Sequence, residues 1–213
     1  MKCILLGSGP EMTRINDIEI DNPDIRIVGL NNIWKGTDKW NYLISPADYP
    51  HKGELRKRYH HKRREFESGE QIYYFEHSTK GYRNAMKHYS HSNSWHETCL
   101  ELGYTSYFGL MYWTMYYLQP DEIGCLGLNH NFTPDKDGAT TFYGPGYDMQ
   151  TRGTPDLVYQ INTRCNGDWT YVDKWFENLE RHLGKTKCYN LSDEDKSILP
   201  WQRKDLESFI NGM

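Results

Sequence analysis

Residue types suited to binding a phosphate group occur where a predicted strand gives way to a predicted helix. The segment Gly7–Pro10, with the sequence Gly-Ser-Gly-Pro, offers backbone N–H groups and a close approach at a helix N-terminus, as a phosphate requires. The same residues are equally typical of a tight structural turn. The third glycine of a dinucleotide fingerprint is missing, and no Gly-Lys-Ser or Gly-Lys-Thr triplet follows the loop. We therefore expect a phosphate site or a turn, and not a dinucleotide site.

Amide, imidazole and phenol side chains follow two other predicted strands. Asn31 and Asn32 could hydrogen bond to a ribose or to a base edge, although asparagine also favours the turns that end strands. The segment Asn129–Asn131 contains His130, which could act as a general base or acid, or could have a structural role. Tyr143 lies in a later Gly-rich loop, which is either a lid able to reach a phosphate or a plain loop.

A basic segment lies between these motifs. Residues 52–64 carry seven Lys or Arg against one Glu, so the segment has a charge of +6 while the rest of the chain carries −10. It could contact the phosphates of a nucleic acid, or it could be a solvated surface. The side chains that we assign to acceptor binding are Arg56, Lys57, Arg58, Lys62, Arg63 and Arg64.

The hydrophobic pattern predicts the elements that must position these residues. Apolar, β-rich runs indicate strands at residues 2–7, 24–30, 40–44, 122–128 and 187–191. Short helices are expected to begin at Pro10 and at Ser94. Longer helices are expected at 106–118 and 168–183, and the apolar residues on every face of 106–118 predict a central, buried helix. Strands separated by helical crossovers predict an α/β fold with a Rossmann-like, doubly wound, mainly parallel sheet of about five strands in the order 3-2-1-4-5.

This topology brings the chemistry-bearing loops together. In an open parallel sheet, ligands bind beyond the carboxyl ends of the strands, at the point where the strand order reverses. The loop Gly7–Pro10 and the segment Asn129–Asn131 are expected side by side at that point, between the first and fourth strands. Residues 1–213 are expected to form a single domain, with a basic helical or irregular insertion at about residues 50–92.

Composition narrows the class of protein. No apolar run approaches the roughly 20 residues of a membrane helix, and the apolar start is too short for a signal peptide, so we expect a cytoplasmic protein without a membrane partner. The five cysteines are an odd number without a Cys-x-x-Cys pair, which predicts buried reduced thiols. Asp135 and Asp137 spell the Asp-x-Asp of many metal-dependent sugar transferases, but turn residues surround them, so no metal site is predicted.

The order of these motifs resembles one known group of enzymes. A strand followed by Gly-Ser-Gly-Pro, a strand ending in Leu-Asn-Asn, then Tyr-Leu-Ile-Ser-Pro and later Pro-Asp-Glu-Ile-Gly-Cys-Leu-Gly-Leu-Asn are similar to the metal-independent bacterial sialyltransferases with a Rossmann-like fold and to their relatives, the motility accessory factors. Small uncharacterised phage-encoded proteins of this type look closest, since they share the Phe-Tyr-Gly-x-Gly stretch and the Leu-Pro ending near Trp201. The resemblance covers residues 1–46 and 103–202.

The resemblance implies transfer of a sugar from a nucleotide donor, in particular a cytidine monophosphate sugar, without a metal ion or a separate cofactor. By position, Ser8 and Gly9 match the family's phosphate loop, and Asn31 matches an Asn that contacts the nucleotide. Ser45 stands where the family has another Asn, and Asn129 where it has an Asp.

The resemblance also bears on the catalytic residues. Tyr143 lies near a family Tyr that contacts the donor phosphate. The family's catalytic His after that Tyr has no counterpart here, because Gly144-Pro145-Gly146 follows. His130 is the histidine that remains near the predicted site.

The leading hypothesis is a metal-independent glycosyltransferase, with a nucleotide sugar as donor and an acceptor that could be modified phage DNA. The catalytic set is His130 as candidate base, Tyr143 assisting departure of the phosphate, and Asn129. The residues assigned to the nucleotide are Gly7, Ser8, Gly9, Pro10, Asn31, Asn32, Ser45, Ser106 and Asn131. Two hypotheses of other classes are a nucleotide- or nucleic-acid-binding protein without turnover, and a nucleotide-sugar hydrolase or phosphotransferase.

Overall fold

A seven-stranded parallel sheet organises the computed structural model, which describes residues 1–44, 74–76, 79–128, 156–192 and 197–212. The strand order is β4-β3-β2-β1-β5-β6-β7, and every neighbouring pair is parallel. The order reverses between β1 and β5, as in a doubly wound Rossmann-like sheet. The strands are β1 (Lys2–Leu6), β2 (Ile25–Leu30), β3 (Tyr42–Ile44), β4 (Tyr74–Glu76), β5 (Glu122–Leu126), β6 (Lys187–Asn190) and β7 (Gln202–Arg203).

The sheet confirms the α/β fold class and the order of the five strands expected from the sequence. Two edge strands were not expected, β4 and β7, which have three and two residues. Strands this short carry too few alternations for a hydrophobic pattern to reveal them. β4 lies inside the segment 50–92 that reads as a basic helical or irregular insertion, so part of that segment belongs to the sheet.

Helices cover both faces of the sheet. Two 3₁₀ helices, Pro10–Asp17 and Asn31–Lys35, follow β1 and β2. The α-helices are α1 (Thr79–Tyr89), α2 (Trp95–Leu102), α3 (Ser106–Tyr117), α4 (Asp156–Arg164), α5 (Thr170–Leu183) and α6 (Leu206–Asn211). The helices expected at Pro10, 94, 106–118 and 168–183 are confirmed. The helix α4 was not expected, because its mostly polar sequence buries only Leu157 and Ile161.

Alternate residues of the strands supply two separate cores. Cys3 and Leu5 of β1 face a core that also contains the buried residues of α1 to α5. Ile4 and Leu6 face the opposite core, which the two 3₁₀ helices and α6 close. Since both faces of β1 are buried, its sequence is a continuous apolar run, as expected of a central parallel strand.

The helix α3 lies at the centre of the larger core. Its residues from Tyr107 to Met115 are all buried, which confirms the expectation of a central buried helix. A methyl group at Gly109 would lie 1.9 Å from the ring of Tyr82, so this glycine lets α1 pack directly on α3. The side chains of Tyr107 and Cys125 share a hydrogen bond near the carboxyl end of β5. The N-terminus of α3 therefore lies at the carboxyl edge of the sheet.

Candidate functional site

The candidate site lies at the carboxyl edge of the sheet, around the reversal point between β1 and β5. The three strands β1, β5 and β6 end there in loops that contact one another. We call residues 7–10, 127–128 and 190–192 the loop cluster. Ligands of doubly wound sheets bind at this edge, so the loop cluster is a candidate binding site.

The first loop of the cluster is held by the second through backbone hydrogen bonds. The N–H of Gly7 donates to the carbonyl of Leu126 at 2.9 Å, and the N–H of Gly9 donates to the carbonyl of Gly127 at 2.8 Å. Within the part of the chain that the structure describes, the N–H of Ser8 has no such partner. Of the amides predicted to hold a phosphate, two are therefore occupied by the protein, and the half-exposed Ser8 is the one left to meet a ligand.

The glycines of the loop have a packing role. A methyl group at Gly7 would lie 2.3 Å from the carbonyl oxygen of Gly127 and 2.4 Å from Cδ2 of Leu128. A methyl group at Gly9 would lie 2.9 Å from the Cα of Gly127. Gly127 itself has a φ of +68°, which only glycine adopts readily. The glycine pattern thus lets two loops pack at backbone distance, whatever else binds there.

A carboxylate lies beside the loop. The 3₁₀ helix begins at Pro10, as expected, with Glu11 in its first turn. Glu11 folds back toward the loop, since a methyl group at Gly9 would lie 2.9 Å from its Oε2, an atom that is buried. The loop is thus bordered by the Glu11 carboxyl group on the side of Gly9.

The third loop contributes two buried polar side chains that the sequence analysis did not single out. Asn190 and Ser192 are 2% and 3% exposed. Asn190 Oδ1 accepts a hydrogen bond from the N–H of Ser192 at 3.0 Å, and Ser192 Oγ accepts one from the N–H of Gly127 at 3.2 Å. The available signal was the Asn-Leu-Ser sequence at the end of a predicted parallel strand, where buried polar residues need partners.

The N-terminus of α3 is a second part of this edge that offers hydrogen-bond donors. Thr105 is its N-cap residue, but no side-chain hydrogen bond caps the helix. Thr105 is 2% exposed, and within the described ranges its Oγ1 has no hydrogen-bond partner. Ser106, assigned to the nucleotide from the sequence, is half-exposed in the first turn. The positive end of a 12-residue helix therefore meets this edge without a capping side chain.

The other assigned site residues are described in part or not at all. Asn31 and Asn32 begin the 3₁₀ helix that follows β2, at the carboxyl edge, and only their backbone is described. The described ranges stop at Ile44 and at Leu128, directly before the assigned residues Ser45 and Asn129. Outside the described residues lie Ser45, Asn129, His130, Asn131, Tyr143, Arg56, Lys57, Arg58, Lys62, Arg63 and Arg64.

The buried cysteines are not nucleophiles. Burial raises the pKa of Cys3, Cys99 and Cys125 to about 12, so these thiols stay protonated at neutral pH. All five cysteines are free, as expected from their number and spacing. No group of three or more His, Cys, Asp or Glu side chains in the described ranges is placed to hold a metal ion. Among the helices that the structure describes, none is long and apolar enough to cross a membrane.

Comparisons with known proteins add a remote structural likeness. The sialyltransferase CST-II, solved in complex with a trisaccharide acceptor and CMP, superposes on this chain with a TM-score of 0.43 at 13% sequence identity. The match covers 97% of this chain and 92% of that chain. No protein-family model matches the sequence, and no curated protein matches it. At this TM-score the likeness carries no function to the chain, and the Rossmann-like fold class rests on the strand order.

Proposed function

We propose that the protein is a glycosyltransferase whose nucleotide-sugar donor binds at the carboxyl edge of the sheet, between the loop Gly7–Pro10 and the N-terminus of α3. The observation that carries the proposal is the buried Thr105 hydroxyl, which lacks a partner within the described ranges, at the uncapped end of a central helix. A buried hydroxyl without a partner costs about 1–3 kcal/mol, and a bound phosphate or carboxylate oxygen would remove that cost. Ser8 and Ser106 supply further donors at the same edge.

The uncapped end of α3 favours a donor with one phosphate, since a helix N-terminus binds a single anionic group. A nucleoside monophosphate sugar would bring one phosphate, which the uncapped end of α3 can bind. The motif order of the sequence also supports this donor class.

The chemistry of the proposal uses residues outside the described ranges. Transfer through an oxocarbenium-like transition state needs a base for the acceptor hydroxyl and stabilisation of the departing phosphate. His130 and Tyr143 are proposed for these two roles, with Asn129 contacting the donor. Transfer that is unchanged after His130→Ala would remove His130 from the role of base.

The acceptor in this proposal is a polyanion. The charge of +6 on residues 52–64 supports DNA, which the Lys and Arg side chains of that segment would contact. Binding of a DNA duplex should then weaken steeply as salt rises. Salt-independent binding, or none, would contradict this choice of acceptor.

A second candidate is a nucleotide-binding protein without turnover. The chain has Gly144-Pro145-Gly146 where the sialyltransferases carry their catalytic His, which favours this candidate. Donor consumption in the presence of nucleotide sugars separates it from the transferase.

Substitution of Thr105 tests the donor site. Thr105→Val should raise the unfolding midpoint, because it removes a buried hydroxyl without a partner, and should weaken binding of a nucleoside monophosphate. The control is Thr114→Val, since Thr114 Oγ1, in the middle of α3, is also buried and without a partner in the described ranges. Thr114→Val should raise the midpoint in the same way and leave binding unchanged.

The measurement is calorimetric titration with CMP, UMP, GMP and AMP, with and without Mg²⁺. We expect one of them to bind without Mg²⁺, and Thr105→Val to weaken it about tenfold. Equal affinity in Thr105→Val and the wild type would contradict the placement of the phosphate at α3.

A further inference from the structure

Two buried polar side chains at the end of β6 lie outside every assigned set of site residues. Asn190 and Ser192 are as buried as the core, while their neighbour Leu191 is fully buried and apolar. A buried amide or hydroxyl costs free energy unless it is hydrogen bonded, so its partners indicate its role. The partner of Ser192 is the backbone of Gly127, 65 residues earlier in the chain.

These side chains begin a chain of hydrogen bonds across the loop cluster. Asn190 Oδ1 holds the N–H of Ser192, and Ser192 Oγ holds the N–H of Gly127. The carbonyl of Gly127 in turn accepts the N–H of Gly9 at 2.8 Å. These contacts thus connect the third loop to the glycine loop through buried polar groups.

The contact on Gly127 fixes the turn on which this series of hydrogen bonds depends. Gly127 has a φ of +68°, and its carbonyl reaches Gly9 only while that turn is kept. Without Ser192 Oγ the buried N–H of Gly127 would lose its acceptor, and the turn could relax. The carbonyl that holds Gly9 would then shift.

Ser8 lies between the two amides that this arrangement fixes. Gly7 donates to Leu126 at the end of β5 and Gly9 donates to Gly127 in the loop after it, so the direction of the N–H of Ser8 is set on both sides. A donor that is held in place before binding loses little entropy when a ligand arrives. Ser192 therefore acts on Ser8 through two intervening backbone groups.

We propose that Ser192 is a positioning residue for the donor phosphate, which it affects by holding Gly127, and through it Gly9 and the N–H of Ser8, in the binding geometry. This inference rests on the proposed function, since it assigns the phosphate to the edge where the donor would bind. Asn190 supports Ser192 by accepting its N–H. Ser192 itself does not touch the ligand.

The first test compares Ser192→Ala with Thr186→Val. Thr186 makes a similar contact between loops at the opposite edge of the sheet, where its hydroxyl donates to the carbonyl of Pro120 at 2.7 Å. The probes are the best binder among CMP, UMP, GMP and AMP, and the matching nucleoside without phosphate. Ser192→Ala should weaken the monophosphate about tenfold and the nucleoside by less than about twofold. Thr186→Val should change neither, and Ser192→Cys, with its weaker acceptor, should give an intermediate loss.

The ratio of the two affinities separates positioning from general damage. A merely structural role would weaken monophosphate and nucleoside together, or would lower the unfolding midpoint without changing either affinity. Equal effects on both probes, or none, would overturn the inference.

Hydrogen exchange tests the contact without any ligand. In Ser192→Ala the hydrogen-bonded amides of Gly7, Gly9 and Met12 should exchange several-fold faster than in the wild type, while Thr186→Val leaves them unchanged. Unchanged exchange in Ser192→Ala would overturn the inference even if nucleotides bind. If the wild type binds none of the four nucleotides, the proposed function fails, and the exchange result alone decides whether Ser192 positions the loop.

Discussion

The two edges of the sheet are stabilised in different ways. At the carboxyl edge, buried backbone amides, one serine hydroxyl and close glycine contacts hold three loops together. At the amino edge, Lys2 donates to the carbonyl of Phe209 and lies 3.5 Å from Glu122, with both side chains about one quarter exposed. Charged, partly solvated contacts tolerate substitution, whereas backbone packing through glycines does not.

Glycine has a different use at each edge. Gly184, before β6, has a φ of +60° but nothing within 4 Å of the position of a Cβ atom. Gly7, after β1, would have backbone at 2.3 Å from a Cβ atom. The amino edge uses glycine to turn the chain, and the carboxyl edge uses it to bring two loops into contact. This difference is what a binding edge requires, because its geometry must be held before the ligand arrives.

The largest expected effect comes from adding a methyl group at each of these glycines. Gly7→Ala should destabilise the protein by about 3 kcal/mol and abolish nucleotide binding, because the two loops must separate. Gly184→Ala should cost about 1–3 kcal/mol through its backbone conformation alone and should leave binding unchanged. Urea unfolding and nucleotide titration measure both. Nucleotide binding by Gly7→Ala at wild-type affinity would break the comparison.

A smaller effect is expected from the charged contact of the amino edge. Lys2→Met keeps the length of the side chain but removes the hydrogen bond to Phe209 and the charge near Glu122, so stability should fall by about 1 kcal/mol. Part of this difference in unfolding free energy between Lys2→Met and the wild type should disappear in high salt, since screening weakens the ion pair. Nucleotide affinity should stay constant. A loss of affinity in Lys2→Met would mean that the two edges are coupled.

The smallest effect concerns pH. Burial lowers the pKa of His182, at the end of α5, below its ordinary value of 6.5. The charge of Glu101 opposes this shift, and the charges of His91, Arg181 and His88 add to it. The unfolded chain therefore binds a proton first as pH falls below about 6.5, and stability is lost from there down through the lower folded-state pKa.

The His182→Gln variant measures this dependence. Its unfolding free energy should fall less between pH 7 and pH 5 than that of the wild type. His182 lies at the end of α5, which leads into the start of β6 at the amino edge, so nucleotide affinity over this range should be the same in both proteins. An identical pH dependence of stability in the two proteins would contradict a role for His182.

Much of the fold could be predicted because the central strands are buried on both faces. Continuous apolar runs such as Cys3–Leu6 predict such strands directly, and the rule for doubly wound sheets then gives their order. The short strands β4 and β7 and the helix α4 could not be predicted, since packing against existing elements, and not their own pattern, determines them. Of the candidate site, the glycine loop and its place beside the end of β5 could be predicted, but the hydrogen bonds that join them and the contact from Ser192 could not.

The sequence by itself determined the parallel sheet, the reversal between β1 and β5, and the position of a glycine loop at that point, because local hydrophobic pattern and chain connectivity control these features. Only the tertiary structure decided that Gly9 donates to the loop after β5, that Ser8 and Thr105 keep donors without a protein partner within the described ranges, and that Ser192 holds Gly127. These contacts join residues more than 60 positions apart. Their geometry depends on how whole loops pack, which no local pattern records.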